Sequence, residues 1–431
     1  MQSKKLQRGL SLPVTDRNLE SSSMRSTEGG GRRVAILGAG IMGASLALFL
    51  ARHGFRVSLF DRENVPLAGA SRWNEGKIHL GYLYGADPSL DTARRVIPGG
   101  LNFGPLISKL IGADISPAIT EQDDIYLIHR DSVATPEAVA ATFEGVSALL
   151  REHPDSRRYL VDVSRANFRR MSRKEVGNVA NDDLLTAGFV TPERSVDTRW
   201  IADRLCDALL NESRISFCPG IAIKAATPVD SVNGPWRVRG TPDVDDRFDI
   251  VVNALWHGRL EIDLTAGAPA PDQWSNRFRH SLFIQTPNDL DLPSVVVAFG
   301  PFGDVKNYNG RDFYASWYPA GLIFESNEIS PPALQPWTTS QQKELIAKVR
   351  AALGELLPWT SKIFDSAETI VVQGGFVFAQ GRGSLADPRS TLHRRDRFGI
   401  LRRGRYYSVD TGKYSTAPWL AWNLAQELIG N

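Results

Sequence analysis

Three glycines, Gly38, Gly40 and Gly43, stand in the run "LGAGIMGAS" between an apolar stretch at 34–37 and a longer one that ends at Gly54. A second short apolar run, 57–60, closes on Asp61. Strand, glycine turn, helix, strand and acid in this order make the arrangement that holds a dinucleotide. Gly38 permits the tight turn, Gly40 lets backbone approach a pyrophosphate, and Gly43 lets helix and strand pack closely. The amides that open the helix, around Ile41 and Met42, face the phosphates. Asp61, with Arg62 beside it, is placed for the ribose hydroxyls of the adenosine. Soon afterwards comes "GASRWNEGKIHLGYLYG", residues 69–85, with neither a helical nor a strand period. A segment that traces the length of a dinucleotide needs Gly and Ser for close backbone approach and Asn for polar contacts, and it contains one imidazole, His79.

The elements that must position these residues are legible around them. The pattern predicts a helix over 42–53 and another after Asp197 or Thr198, whose Ile201, Leu205, Ala208 and Leu209 fall at helical spacing. Residues 250–253 read as an apolar strand leading into a small-residue turn. Near the end, a glycine loop at Gly412 precedes a helix over 417–429, with Ser415 or Thr416 as N-cap and Pro418 in its first turn. Between these pieces, 294–299 reads as a strand, and Asn309-Gly310 predicts a hairpin turn before a strand over 312–318. Alternation along it puts Tyr314, Ser316 and Tyr318 on one face and Phe313, Ala315 and Trp317 on the other. Residues 336–357 read as an N-capped amphipathic helix.

The chain has 431 residues, room for two or three domain-sized units. Fifty basic against 48 acidic residues leave a net charge of +2, so no global field draws it to nucleic acid. Its two cysteines, Cys206 and Cys218, form no CxxC spacing, which points to no disulfide framework, no metal site and a reducing compartment. No apolar run reaches membrane-spanning length and no secretory signal opens the chain, so a cytoplasmic protein without a membrane span is expected. Residues 1–31 are polar and Ser/Gly-rich, read as a disordered extension, with Met24 an alternative start.

A nicotinamide enzyme usually continues with further regular strand-helix units after the acid; this chain does not. Its 69–85 segment resembles the second conserved segment of the D-amino-acid-oxidase-like (DAO) FAD oxidoreductases, a superfamily that includes sarcosine and glycine oxidases. "ASRWNEGKIHLGYLY" is also similar to the matching segments of L-2-hydroxyglutarate dehydrogenases and FAD-linked glycerol-3-phosphate dehydrogenases. The resemblance implies that Ser71 and Arg72 lie near the pyrophosphate and that Asn74, Gly76 and Lys77 pass the flavin ring, with His79 near ring or substrate. "FDIVVNALWHGR" resembles a third cofactor-contacting segment, bringing Asn253 and Ala254 to FAD, and "DTGKYSTAPW" a fourth. There Gly412, Lys413, Tyr414, Ser415 and Thr416 meet the flavin edge, where the helix terminus and Lys413 stabilise negative charge.

The implied architecture is α/β: a discontinuous Rossmann-like FAD-binding domain over 32–110, 188–258 and 372–431, with an inserted substrate domain of antiparallel sheet and helices over 111–187 and 259–371. The implied reaction is oxidation of a C–N or C–O bond of a small polar substrate, an amino acid, amine or hydroxy acid, by hydride transfer to flavin N5. Oxygen or another acceptor then takes the electrons. An alcohol needs a base, for which His79 or Tyr314 is the candidate. By position, Arg382 and then Arg394 are the candidates for gripping a substrate carboxylate, although the family's Arg-Pro context is absent. Neither cysteine lies where such enzymes attach flavin, so noncovalent FAD is expected. The rivals are a flavin-dependent monooxygenase or halogenase, a non-catalytic FAD-binding protein and a nicotinamide dehydrogenase. Gly303-Asp304 is superficially similar to the Gly-Asp pair of aromatic hydroxylases, but it falls in the inserted domain. Oligomeric state is left open.

Overall fold

The computed structural model describes residues 31–331 and 333–430, so all but Gly31 of the expected N-terminal extension lies outside the described residues. A six-stranded sheet carries the glycine turn. Its spatial order is Gly399–Arg403, Tyr406–Asp410, Ile250–Asn253, Arg33–Leu37, Arg56–Phe60 and Ile215–Cys218. All neighbours run parallel except the first pair, a hairpin. Strand Arg33–Leu37 lies in the middle and is apolar on both faces because both are covered. Val34 and Ile36 enter one core with the helices, while Ala35 and Leu37 enter a second.

The helical side begins with Ile41–Ala51, every residue of which is buried, consistent with its lack of a polar face. It packs against the C-terminal helix Ala417–Gly430, with Phe49 edge-on to Trp422 at 5.1 Å between ring centres. Helix Thr198–Leu210 is capped by Asp197, whose carboxylate accepts the amides of Arg199 and Trp200. The opposite face is covered by a three-stranded antiparallel sheet, Ala222–Pro228, Trp236–Thr241 and Val244–Phe248. Its fully buried Trp236 stacks on Tyr406 at 5.1 Å.

A nine-stranded sheet forms the other main layer. Strand Ser275–Gln285 is its hub, pairing with Thr369–Ala379 along its full length, with Leu322–Ser326 at one end and with Asp312–Trp317 at the other. The sheet continues through Gly303–Asn307, Val295–Ala298, Asp124–His129 and Leu185–Thr191. The Asn309-Gly310 turn joins its two strands as expected, with Gly310 at φ +84° and its amide on Asn307 Oδ1 at 2.7 Å. Helix Thr339–Leu356, opened by a Thr338/Gln341 capping box, covers one face through Leu345, Val349 and Leu353. Phe313 and Ala315 point to that helix; Tyr314, Tyr308 and Phe283 form a separate cluster on the opposite face, with Trp73 packed against it. The alternation read from the sequence along 313–315 therefore holds. Gly303 and Asp304 open a strand of this sheet, remote in sequence and topology from the glycine-turn sheet.

The close packing at Gly43 is a hard steric limit: a Cβ there would stand 1.9 Å from the carbonyl oxygen of Gly38. Gly43→Ala is expected to destabilise the protein by about 3 kcal/mol, the upper end of overpacking costs, read as a lowered urea midpoint with an unchanged slope.

Candidate active site

A cleft of about 550 Å³ opens beside the glycine turn and runs to the loop before the C-terminal helix. Gly38, Gly40, Ile41 and Met42 line one end, and Thr411, Gly412, Lys413 and Tyr414 the other. Between them pass Ser71, Trp73, Asn74, Glu75, Lys77 and His79. The segment without a period is thus the floor that joins the two ends.

The glycine end is built for an anion. Gly38 has φ +101°, and a Cβ on it would lie 2.7 Å from the carbonyl oxygen of Ala254. Ile41 N–H donates to Ser71 Oγ at 2.9 Å, which anchors Ser71 at the helix N-terminus. Asp61 accepts Ala39 N–H at 2.6 Å and Glu63 N–H at 2.9 Å, fixing its carboxylate at the cleft wall beside Arg62. A bare backbone turn, a helix terminus and an oriented carboxylate fit the pyrophosphate and ribose of a dinucleotide.

Several expected contact residues hold the segment in place. Asn74 spends its amide on its own turn, donating to the Ala70 carbonyl at 2.8 Å and accepting Gly76 N–H at 2.9 Å. Gly76 has φ +68° and no room for a side chain, since a Cβ would meet the Val196 carbonyl oxygen at 1.9 Å. Arg72 turns outward to Asp203 at 2.6 Å. Asn253 is fully buried, donating to the Arg259 carbonyl, to Asp263 and to Tyr406 and accepting Leu255 N–H, while its neighbour Ala254 lines the cleft. Ser415 and Thr416 are buried off the cleft, and the Thr416 hydroxyl donates back to the carbonyls of Thr411 and Lys413 instead of capping the last helix.

Beneath the floor lies a buried charge network that sequence reading missed. Lys77 is 2 % exposed, and its ammonium donates to Asp124 Oδ2 and lies 3.8 Å from Glu193 Oε2. Lys306, fully buried, donates to Asp124 Oδ1 at 2.6 Å. Glu193 accepts the amides of Leu80 and Gly81 at 2.6 and 3.1 Å and the hydroxyl of Tyr126. Burial works against the charge on Lys77, but Asp124 and Glu193 outweigh it and hold its pKa above the ordinary value. Burial, with Lys77 adding to it, brings Lys306 down to about 8.

At the far end the charges are positive. Lys413 makes no ion pair among the described residues; its ammonium lies 5.6 Å over the Tyr84 ring. Burial, followed by repulsion from Arg395, Arg277 and Arg279, lowers its pKa to about 7 against the opposing pull of Glu75. Burial alone would raise the carboxyl of Glu75, but Lys413 and Arg279 outweigh it and keep it below its usual value. His79 is 2 % exposed with Nδ1 unpartnered, and burial plus the charges of Lys413, Lys77, Lys306 and Arg395 lowers its pKa well below the usual one. Its imidazole is therefore neutral at physiological pH, and four cations oppose protonation. Tyr314, 1 % exposed and off the cleft lining, is held by Arg279 at 3.0 Å and Ser281 at 2.9 Å, and burial raises its pKa.

The two arginines chosen from sequence lie elsewhere. Arg382 is exposed on a loop, its guanidinium 5.8 Å from the Trp274 ring. Arg394 reaches Asp91 at 3.1 Å and Asp396 at 2.6 Å and is 43 % exposed. The arginines whose charges act on Lys413 are Arg277 and Arg395, both buried, and Arg279, partly buried. Arg277 and Arg279 were open to detection: in "NRFRHS" alternation puts both on one face of a strand that ends in the apolar run Leu282 to Ile284. Nothing local distinguishes Arg395 from its basic neighbours.

A family model described as FAD dependent oxidoreductase (DAO) matches residues 33–384. The chain belongs to the DAO family of FAD-dependent oxidoreductases. As a DAO-family enzyme its cofactor is FAD. Solved structures share its fold at low identity. The glycine oxidase from Geobacillus kaustophilus aligns with a TM-score of 0.64 at 15% identity, over 93% of this chain and 95% of its own. The iminodiacetate oxidase from Chelativorans sp. BNC1 aligns with a TM-score of 0.62 at 17% identity, over 93% of this chain and 96% of its own. The L-amino acid deaminase from Proteus myxofaciens aligns with a TM-score of 0.61 at 15% identity, covering 94% and 92%. No helix among the described residues of this DAO-family chain is long and apolar enough to cross a membrane.

Because Glu193 holds two floor amides and faces Lys77, Glu193→Ala is expected to cost about 3 kcal/mol or more of stability. Glu193→Gln, which keeps the acceptor on the amides, should cost less. Urea unfolding of both variants, with FAD retention on a desalting column, checks the order.

Proposed function

We propose that this enzyme oxidises a C–N or C–O bond of a small acid, an amino acid, amine-bearing acid or hydroxy acid, with the substrate held at the Lys413 end of the cleft. FAD, when bound, would supply the two-electron acceptor there. The observation that carries the reading is the joint position of Lys413 and Glu75 on the cleft wall, with the charges of Arg277, Arg279 and Arg395 acting on Lys413. The Gly38–Gly43 turn, Ser71, Asp61 and Ala254 are assigned to the dinucleotide, and the 411–414 loop to its other end. In this reading 32–110, 188–258 and 372–431 form the FAD-binding domain and 111–187 with 259–371 the substrate domain. Noncovalent attachment is supported by the absence of cysteine from the cleft lining, and a cytoplasmic location by Cys206 and Cys218 standing as free thiols.

The residues divide the work by charge. An acid group is drawn to the guanidiniums, which orients the substrate and displaces water from that end of the cleft. A lysine brought to about 7 is half deprotonated near neutral pH, so Lys413 Nζ can accept the proton that a substrate hydroxyl or ammonium releases. Taking up that proton makes Nζ cationic in a cleft that gains two electrons, so charge stays balanced locally. His79 is too resistant to protonation for that task and is assigned a polar contact through its unpartnered nitrogen.

Anaerobic mixing of the holoenzyme with panels of amino acids, N-methyl amino acids and hydroxy acids tests the reading: at least one carboxylate-bearing member should bleach the flavin absorbance. If none does, the oxidase or dehydrogenase reading is wrong and a non-catalytic FAD protein stands. Rapid NAD(P)H oxidation would instead favour the monooxygenase alternative. With a reducing hydroxy acid, the second-order rate of flavin reduction should fall about tenfold per pH unit below pH 7 and level off above it. Lys413→Met should remove that step while retaining FAD. Arg382→Ala should leave reduction within about threefold of wild type, as for an exposed side chain far from the site.

A further inference from the structure

Arginine side chains buried in a protein are normally paired with carboxylates, because an isolated interior charge is costly. Arg259 follows the rule, lying 3.0 Å from Asp263 and 3.2 Å from Asp410. Arg277, Arg279 and Arg395 do not. Arg277 is 4 % and Arg395 9 % exposed, Arg279 is partly buried, and none has a carboxylate within ion-pair distance among the described residues. Their polar contacts are neutral: Arg277 Nη1 donates to the Tyr318 hydroxyl at 3.0 Å, Arg279 Nη2 to the Tyr314 hydroxyl at 3.0 Å, and Arg395 Nη1 to the Arg394 carbonyl at 3.0 Å. Nε of Arg277 and of Arg395 is buried without a partner. Glu75 and Asp304 act on Arg279 only from beyond ion-pair distance, and Asp304 accepts the Ser316 hydroxyl at 2.5 Å. Asp410, which attracts Arg395, is engaged by Arg259 and by Gln380.

The charges of all three act on Lys413, and that of Arg277 acts on Arg395; Arg277 and Arg279 also meet at Tyr318, the first at its hydroxyl and the second 5.3 Å over its ring. A single carboxylate offers two oxygens, which one forked guanidinium can fill. Three such guanidiniums, none with a carboxylate within ion-pair distance among the described residues, call for more than one anionic group.

Resting on the reading of this cleft as the substrate site, we propose that the substrate is a dianion, an amine- or hydroxy-bearing acid with a second acidic group that Arg277 and Arg395 grip together. The acidic group next to the carbon that is oxidised lies nearer Arg279 and Lys413, and the second group lies deeper. A second carboxylate and a phosphate would satisfy the deep pair alike.

The test is a binding titration on the oxidised holoenzyme, read by flavin absorbance and by melting temperature, with non-reacting anions matched in length. Succinate and malonate are set against butyrate and propionate, and phosphonoacetate supplies the phosphorus-containing arm. Dianions should bind at least about 30-fold more tightly than the matched monoanions, the scale expected when a buried charge gains or lacks its partner. The tighter of succinate and phosphonoacetate names the second group. Arg277→Met and Arg395→Met should each bring the preference below about threefold, whereas the exposed Arg382→Met should leave it intact. Equal affinity for monoanions and dianions in the wild-type protein overturns the proposal, as does a preference that survives both buried-arginine variants. If either variant fails to fold, the wild-type ratio still decides. Because these probes bind without turnover, the result is separate from whether any substrate bleaches the flavin.

Discussion

A lysine and a glutamate that cannot reach water organise the site. Lys77 reaches down from the floor of the cleft and Glu193 lies beneath that floor, and each is useful only because the other layer supplies its partner. Asp124 comes from a sheet strand and binds both Lys77 and Lys306. Glu193, just past another sheet strand, takes the amides at Leu80 and Gly81. A segment with no helical or strand period makes few backbone hydrogen bonds of its own, so its shape has to be imposed from outside. Buried ion pairs are weak sources of net stability, yet removing one partner is expensive, and that asymmetry makes the network a device for fixing position.

With the floor held, the two ends of the cleft acquire opposite characters from the same elementary sources. At the glycine turn, positive potential comes from backbone amides and costs no buried charge. At the Lys413 end it comes from side chains forced together by the sheet, and the cost appears in lowered proton affinity: Lys413 near 7, Arg395 near 10 and a neutral His79. One cluster therefore creates a binding field for anions and a lysine able to change protonation near neutral pH. Glu75 tempers that field from the cleft wall.

The glycine turn at Gly38 to Gly43 was legible from spacing because a turn and the helix after it are local objects, and the backbone oxygens of Ala254 and Gly38 leave no room for a side chain at Gly38 and Gly43. The Asn309-Gly310 hairpin, the Asp197 cap and the Thr338 capping box were legible for the same reason. Asn74 and Asn253 were expected to meet the cofactor, yet a short amide side chain finds its nearest backbone and buried acceptors first. Arg382 and Arg394 were chosen by position along the chain, a poor guide in a loop whose neighbours in space come from other elements.

The sequence by itself determined the local objects: the phosphate-binding turn, the helices with their caps, the hairpin, and through their order the family. These depend on contacts a few residues apart, where side-chain type and period suffice. Only the tertiary structure decided which charges meet. Arg277 and Arg279 come from a sheet strand, Arg395 from a late loop, Lys413 from the approach to the last helix and Glu75 from the cleft floor. Whether a charge is paired, shifted or left waiting for a ligand depends on partners hundreds of residues away and on the water that folding removes between them.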